Sequence, residues 1–257
     1  MFNLQDQKGL IVGIANDQSI AYGCAQKLHQ LGAELAISYL NEKAEKYVRP
    51  LANRLEASLF MPLNVQKEEE MKALFEAIRE KWGRLDFLIH SIAFAPLEDL
   101  RGRLIDTSTE GFLTAMDVSC HSFIRLARYA ESLLSEGQGS LLAMSYYGAE
   151  KVVENYALMG PVKAALESVV RYLAYELGPK GINVNALSPG TIATRAASGL
   201  SNFDELMQKT LHRTPLKRLP TIDDVGHVAA FLVSSEAQYL TGDTFYVDGG
   251  FHIVGTD

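Results

Sequence analysis

Lys8-Gly9-Leu10-Ile11-Val12-Gly13-Ile14-Ala15-Asn16-Asp17-Gln18-Ser19-Ile20-Ala21-Tyr22-Gly23 holds an apolar run, a glycine break and the opening of a helix in one stretch. Lys8–Gly13 predicts a strand, because a short apolar run bounded by a turn residue suits a strand covered on both faces. Ile20–Leu31 carries apolar residues at helical intervals and stops at Gly32. A strand that feeds a helix through a glycine turn is the first half of a βαβ unit. Gly13 lets the backbone turn and a pyrophosphate approach, and free amides at the following helix N-terminus favour an anion. Ser19 is placed to cap that helix or to donate to a phosphate. The spacing is longer than G-x-G-x-x-G, and Ser19-Ile20 occupies its middle, so a plain glycine turn with a serine cap is the competing reading. The position after a first strand and before a first helix favours a nucleotide site.

The alternation continues outward. Further strands are predicted at Glu34–Tyr39, Ser58–Leu63, Leu85–His90, Ser140–Met144, Ile182–Leu187 and Thr244–Val247. Helices are predicted at Glu42–Glu56, Lys67–Trp82, Thr109–Leu134 (broken at Gly137–Gly139), Tyr156–Leu177 and Asp223–Ser234, the last with Thr221 as its N-cap. This pattern implies an α/β fold: a doubly wound, Rossmann-like parallel sheet of about seven strands, with helices on both faces. No long linker or repeat interrupts it, so residues 1–257 are expected to form a single domain. Such sheets bind ligands at the carboxyl ends of their strands. There, Ser38-Tyr39-Leu40-Asn41-Glu42-Lys43 would lie beside an adenosine ribose, Asn64-Val65 beside adenine and Ser91-Ile92-Ala93 along the cofactor. No arginine directly follows the second strand to take a 2′-phosphate, which favours NADH over NADPH, although Lys43 keeps the second open.

Composition narrows the class. The chain has 257 residues, 47% of them hydrophobic, enough for one large core. Its net charge is −7 with no basic stripe, which argues against nucleic acid as a partner. Cys24 and Cys120 sit in apolar segments without metal-ligand spacing and read as reduced core residues; no metal is expected. The N-terminus lacks a basic and apolar leader, and the apolar runs are too short to cross a bilayer. A cytoplasmic protein without a membrane partner is the expectation.

One segment points to chemistry. Tyr156 and Lys163 stand seven residues apart, nearly on one helical face. A phenol beside an ammonium is a proton-donating pair, and the cation is expected to lower the phenol's pKa. Tyr and Lys at helical spacing are also common on ordinary surfaces, so the pair counts only together with the nucleotide-binding pattern.

Taken together, these elements resemble the short-chain dehydrogenase/reductase superfamily. Asn185-Ala186-Leu187-Ser188-Pro189-Gly190 and Val247-Asp248-Gly249-Gly250 extend the likeness over nearly the whole chain. Most of that superfamily uses Tyr-x-x-x-Lys with an upstream serine. Here Met159 occupies the usual tyrosine position, the tyrosine comes earlier as Tyr156-x6-Lys163, and Ser145-Tyr146 stands where many members have Ser-Ser. This is similar to the divergent branch of bacterial enoyl-acyl-carrier-protein reductases. Ser91-Ile92-Ala93-Phe94-Ala95-Pro96, Tyr146-x-Gly148-Ala149-Glu150, Asn155-Tyr156-x-x-Met159-Gly160 and Asp248-Gly249-Gly250-Phe251 carry the resemblance.

The resemblance implies reduction of the trans-2 double bond of an enoyl thioester by NADH in fatty acid elongation. The thioester would be carried on acyl carrier protein, or on CoA. It implies that Tyr156 donates a hydrogen bond to the thioester oxygen, that Lys163 holds the nicotinamide ribose, and that Tyr146 lines the pocket. Gly13, Ala15, Ser19, Ile20, Leu40, Asn64, Val65, Ser91, Ile92, Ile192 and Thr194 would contact the cofactor. Ala95, Tyr146, Tyr156, Met159, Ala196, Phe203 and Met207 would contact the substrate, under a lid at about residues 191–211. A homotetramer is implied as well. The chain departs from the pattern at Leu40, where many NADH-using relatives have glutamine, and at Asn64, which replaces an aspartate. In the lid, Ser201, Asp204 and Glu205 stand where basic residues often meet the carrier. Two alternatives remain: a short-chain oxidoreductase acting on a carbonyl/hydroxyl pair, and a non-catalytic NAD-binding protein.

Overall fold

The computed structural model describes residues 2–134, 139–194 and 203–255. Seven strands form one wholly parallel sheet: β1 (Lys8–Val12), β2 (Glu34–Tyr39), β3 (Leu59–Pro62), β4 (Phe87–His90), β5 (Ser140–Met144), β6 (Asn183–Pro189) and β7 (Thr244–Val247). Their order is β3-β2-β1-β4-β5-β6-β7. The chain winds outward through β2 and β3, then returns past β1 and winds the other way from β4 to β7. The reversal lies between β1 and β4, and sheets of this kind bind ligands beyond the carboxyl ends of the strands at such a point.

Both faces are covered, which is why the strands read as continuous apolar runs. One face packs Leu10, Val12 and Leu88 against α3 (Glu68–Trp82), α6 (Ser122–Ala130) and α7 (Met159–Leu177). The other packs Ile11, Ile37, Phe87 and Ile89 against α1 (Ile20–Gln30), α2 (Glu42–Arg54) and α9 (Ile222–Leu232). Alternate residues of β1 and β4 thus serve opposite cores, the period-2 rule at work in a fully buried sheet. At the start of the sheet, Glu34 accepts hydrogen bonds from Lys8, Ser58 and Trp82, tying β1, β2, the approach to β3 and the end of α3 together.

The predicted elements hold, with four differences. Thr109–Leu134 is not one regular helix. It runs as α5 (Thr109–Met116), a π-helical turn at Asp117–His121, and α6. Within this turn the Ser122 hydroxyl donates back to the Val118 carbonyl at 2.6 Å, and Ser119 Oγ accepts from the Phe94 amide at 2.9 Å. Two helices lie where only loop or lid was expected, α4 (Leu97–Arg101) after Pro96 and α8 (Phe203–Arg213). α7 starts at Met159, with Pro161 in its first turn, where a missing amide donor costs nothing. Tyr156 therefore precedes the regular helix, on a segment entered through Asn155 at φ 62°. Thr221 does cap α9, in a reciprocal capping box with Asp224. Among the described residues no helix is long and apolar enough to cross a membrane.

Candidate active site

Strand register decides which loops meet. Val12 pairs with His90, His90 with Ala143, and Met144 with Leu187. The residues that follow, Gly13, Ser91, Ser145 and then Gly190, therefore line one edge of the sheet. Gly13 has φ 113°, and a Cβ there would stand 2.1 Å from the Ser91 carbonyl oxygen, so only glycine lets these two loops touch. Ser19 holds the N-cap position of α1, yet its side chain makes no cap bond. Instead its hydroxyl oxygen accepts from the amides of Ala15 and Asn16 at 3.1 and 3.0 Å. The serine braces the loop and leaves the first turn of α1 without a side-chain cap, which is how an anion site at a helix N-terminus is kept open. A glycine floor, a braced loop and an uncapped helix end fit the pyrophosphate of a dinucleotide.

The other cofactor candidates lie along the same edge. Leu40, just past β2, is 55% exposed. Asn41 is spent on capping α2 through the Ala44 amide, and Tyr39 stacks on Phe60 at 4.6 Å. Asn64 already uses its carbonyl oxygen to accept from the Gln66 amide at 3.0 Å. Val65 is buried, Ser91 and Ile92 are half-buried, and the Thr194 amide donates to the Ile192 carbonyl at 2.8 Å. Ile20 opens α1 beside the loop.

The candidate pair Tyr156 and Lys163 is built from β5, its following loop and α7. Lys163 is 4% exposed, and its Nζ donates to the Met144 carbonyl at 2.6 Å. Burial pushes its pKa down to about 8 against a smaller upward pull from Cys120 and Glu167. One helical turn later, Glu167 accepts a hydrogen bond from the Ser145 hydroxyl at 2.5 Å. Beyond Ser145 the chain makes a 3-10 turn, Tyr147–Ala149, before reaching Tyr156. The rings of Tyr146 and Tyr156 meet edge to face at 4.7 Å and 63°. Gly148 lies under both: a Cβ there would stand 2.5 Å from Tyr156 Cδ1 and 3.3 Å from Tyr146 Cδ1.

The expected lowering of the Tyr156 pKa is overturned. Burial pushes it well above the ordinary phenol range, and Tyr146 adds to the rise. Lys163 does not offset this, being itself desolvated and turned to a backbone carbonyl. Tyr146 is likewise raised by burial, while a hydrogen bond with Thr191 pulls it back. Thr191 also lies 3.2 Å from Thr210 on α8, oxygen to oxygen, so α8 reaches Tyr146 through two hydroxyls. On α8, Lys209 pairs with Glu205 at 2.9 Å and with Glu154 at 3.3 Å.

The structure brings Tyr146, Tyr156 and Lys163 to the end of β5, and Gly13 to Ser91. Ala95 and Met159 are buried in one core cluster, and Tyr156 packs against that cluster. Phe203 and Met207 share one face of α8, a turn apart. Ala196 and Ser201 lie outside the described residues. Sequence reasoning missed Gly148, Glu167 and the hydroxyl of Thr191. Glu167, four residues after Lys163, was visible by helical spacing; the other two depend on tertiary approach. It also missed His90, wholly buried, whose Nε2 lies 2.7 Å from Ser122 Oγ and whose pKa burial pushes down to about 3, with Lys163 adding to the fall.

Comparison with known proteins gives this geometry a family. A family model described as enoyl-(acyl carrier protein) reductase matches residues 13–252. The chain belongs to that family. Among curated enoyl-(acyl carrier protein) reductases, the NADH enzyme FabI of Nostoc sp. is 46% identical over 99% of this chain and 100% of its own. The crystal structure of the Aquifex aeolicus reductase, an NADH enzyme, superposes with a TM-score of 0.96 at 45% identity, covering 99% of each chain. The Bacillus cereus reductase, solved with NADP+ and indole naphthyridinone, superposes at 0.96 with 43% identity over 100% of both chains.

Proposed function

We propose that this protein is an NADH-dependent enoyl-acyl-carrier-protein reductase, reducing the trans-2 double bond of enoyl thioesters in fatty acid elongation. The observation that carries the proposal is the agreement with such reductases in sequence and fold over the whole chain.

The nicotinamide cofactor supplies a hydride for the β-carbon of the enoyl group. The residues of the chain then have distinct tasks. Gly13, Ala15, Ser19 and Ile20 bind the pyrophosphate at the α1 terminus, and Leu40, Asn64 and Val65 border the adenosine. Ser91, Ile92, Ile192 and Thr194 border the rest of the cofactor. Lys163 holds the ribose hydroxyls; with a pKa near 8 it remains mostly an ammonium at pH 7 and lends positive potential to the site. Tyr156, kept neutral by burial, donates a hydrogen bond to the thioester oxygen as negative charge builds there. Such a donor in a desolvated site stabilises the transition state more than the ground state. Tyr146 holds Tyr156 from the side. Ala95, Met159, Phe203 and Met207 line the acyl site, and α8 acts as its lid within one domain.

Glu205 and Glu154 already occupy Lys209, so α8 offers an acidic carrier little free positive charge. Enoyl-CoA is therefore accepted alongside the carrier-bound substrate. Assembly into a homotetramer is supported by large side chains left on the surface: Tyr172 (69% exposed) and Tyr175 (83%) on α7, and Ile253 (72%) near the C-terminus. The protein acts in the cytoplasm.

The test is loss of NADH absorbance with a trans-2-enoyl thioester, on carrier protein and on CoA, with NADPH and Tyr156→Phe in parallel. Consumption with NADH, sharply reduced in Tyr156→Phe, is the expected result. NADH binding without turnover of either thioester would overturn the proposal.

A further inference from the structure

A carboxylate that is only 8% exposed needs a reason to be where it is. Glu167 lies on the inner face of α7, one turn beyond Lys163, and its Oε1 accepts from Ser145 Oγ at 2.5 Å. Lys163 donates to the Met144 carbonyl at 2.6 Å. Two side chains at i and i+4 therefore grip two consecutive residues, Met144 and Ser145, at the carboxyl end of β5. The next residue is Tyr146, whose ring rests against Tyr156. The Ser145 amide donates to the Leu187 carbonyl at 2.6 Å, so β6 fixes the backbone on one side. On the α7 side only side chains do so.

We propose that Glu167 is a positioning residue for this active site: through its hydrogen bond to Ser145 it sets where Tyr146, and with it the Tyr156 ring, stands relative to Lys163. The inference rests on the assignment of Tyr146, Tyr156 and Lys163 to the site. It accounts for a buried acid that the reduction itself does not use. Burial raises the Glu167 pKa, and the Ser145 bond opposes the rise. The charged groups around it are Glu150, Arg171 and Lys163, with the Tyr246 phenol of β7 also within its field. None of them replaces the short bond to Ser145. Because the hydroxyl donates and the carboxyl oxygen accepts, a glutamine carbonyl oxygen can take over the same bond, whereas alanine cannot.

The experiment measures kcat and KM for NADH and an enoyl thioester in five proteins: wild type, Ser145→Ala, Glu167→Ala, Glu167→Gln and the Ser145→Ala/Glu167→Ala double variant. We expect Ser145→Ala and Glu167→Ala each to lower kcat roughly tenfold, with KM for NADH within twofold of wild type. The double variant should be no worse than the poorer single, and Glu167→Gln should recover most of the rate. A wild-type kcat in Glu167→Ala would overturn the proposal. So would losses that multiply in the double variant, or a Glu167→Gln enzyme as slow as Glu167→Ala. Should Glu167→Ala fail to fold, Ser145→Ala and Glu167→Gln, which barely change volume, decide alone: a slow Ser145→Ala beside a fast Glu167→Gln supports the proposal, and any other pairing overturns it. Tyr156→Phe, measured in parallel, reports on the site assignment separately. A full rate there would sink that assignment, while the coupling of Ser145 to Glu167 is read from their own variants.

Discussion

Replacing Gly148 by alanine should disable the enzyme without removing any group that does chemistry. The added Cβ would stand 2.5 Å from Tyr156 Cδ1 and 2.8 Å from Cε1. Carbon atoms in contact prefer about 3.5–4.0 Å, so the overlap is about 1 Å. The turn cannot easily yield, since Ala149 and Glu150 amides are bonded to the carbonyls of Tyr146 and Tyr147 at 2.9 and 3.0 Å. The ring of Tyr156, on a segment ahead of the regular helix, is the softer partner and should move by about that 1 Å. Misplacement on this scale costs on the order of 100-fold in rate, or about 2.7 kcal/mol of barrier. Overpacking itself costs only about 1–3 kcal/mol of stability, so the variant should fold. Steady-state kinetics with NADH and an enoyl thioester, beside a thermal melt, make the assay: kcat should collapse while KM for NADH holds. In a Tyr156→Phe background the same alanine should cost little more, because the hydroxyl it displaces is already gone. A Gly148→Ala enzyme with kcat within twofold of wild type would refute the reasoning.

Three further outcomes are expected. Lys163, at about 8, loses its charge as pH rises through that value, so kcat/KM should be about half its plateau near pH 8, falling further above it and levelling only well below it; a profile still level at pH 9.5 would contradict the burial of that ammonium. Although burial pushes the other way, hydrogen bonds from Lys8, Ser58 and Trp82 hold Glu34 at about 2, below its unfolded value of 4.5, so the stability it contributes is present above that unfolded value and is lost as pH falls from there through 2. Urea melts across pH 2–7 should show Glu34→Gln less stable at neutral pH and less sensitive to acid. Leu40→Gln should lower KM for NADH about 2- to 10-fold, the equivalent of one added hydrogen bond to the adenosine ribose; an unchanged KM would remove Leu40 from the cofactor site.

The sheet was legible because its central strands are buried on both faces, and their apolar runs therefore stand out between glycines and charged helices. Lys8–Val12 and Ser140–Met144 show this plainly. The break between α5 and α6 was not legible, because Ser119 and Ser122 act through contacts with the Phe94 backbone and with a carbonyl one turn back, neither of which disturbs helical periodicity. α8 was read only as a lid, since the stretch before Phe203 is rich in small residues. At the site, residue types and spacing paired Tyr156 with Lys163, and the family resemblance added Tyr146. They gave the wrong direction for the Tyr156 pKa, because a neighbour's charge can be inferred from spacing but burial cannot. Gly148 reveals its reason only when two aromatic rings are seen resting on it.

The strand order bears on how the chain is born. β1 sits between β2 and β4, and Gly9 pairs with both Leu35 and Phe87. During synthesis from the N-terminus, β1, β2 and β3 can close as soon as they emerge, while the far side of β1 waits for β4. Through that interval Leu10, Ile11 and Val12 present a bare, flat edge, the kind that recruits other strands. Ribosome-bound chains ending before Phe87 should therefore be protease-sensitive at β1, and chains that expose His90 should protect β1 while the bare edge passes to β4 until β5 pairs with it. The seam between β1 and β4, where the two windings of the sheet meet, thus stands open while the N-terminal half is already closed.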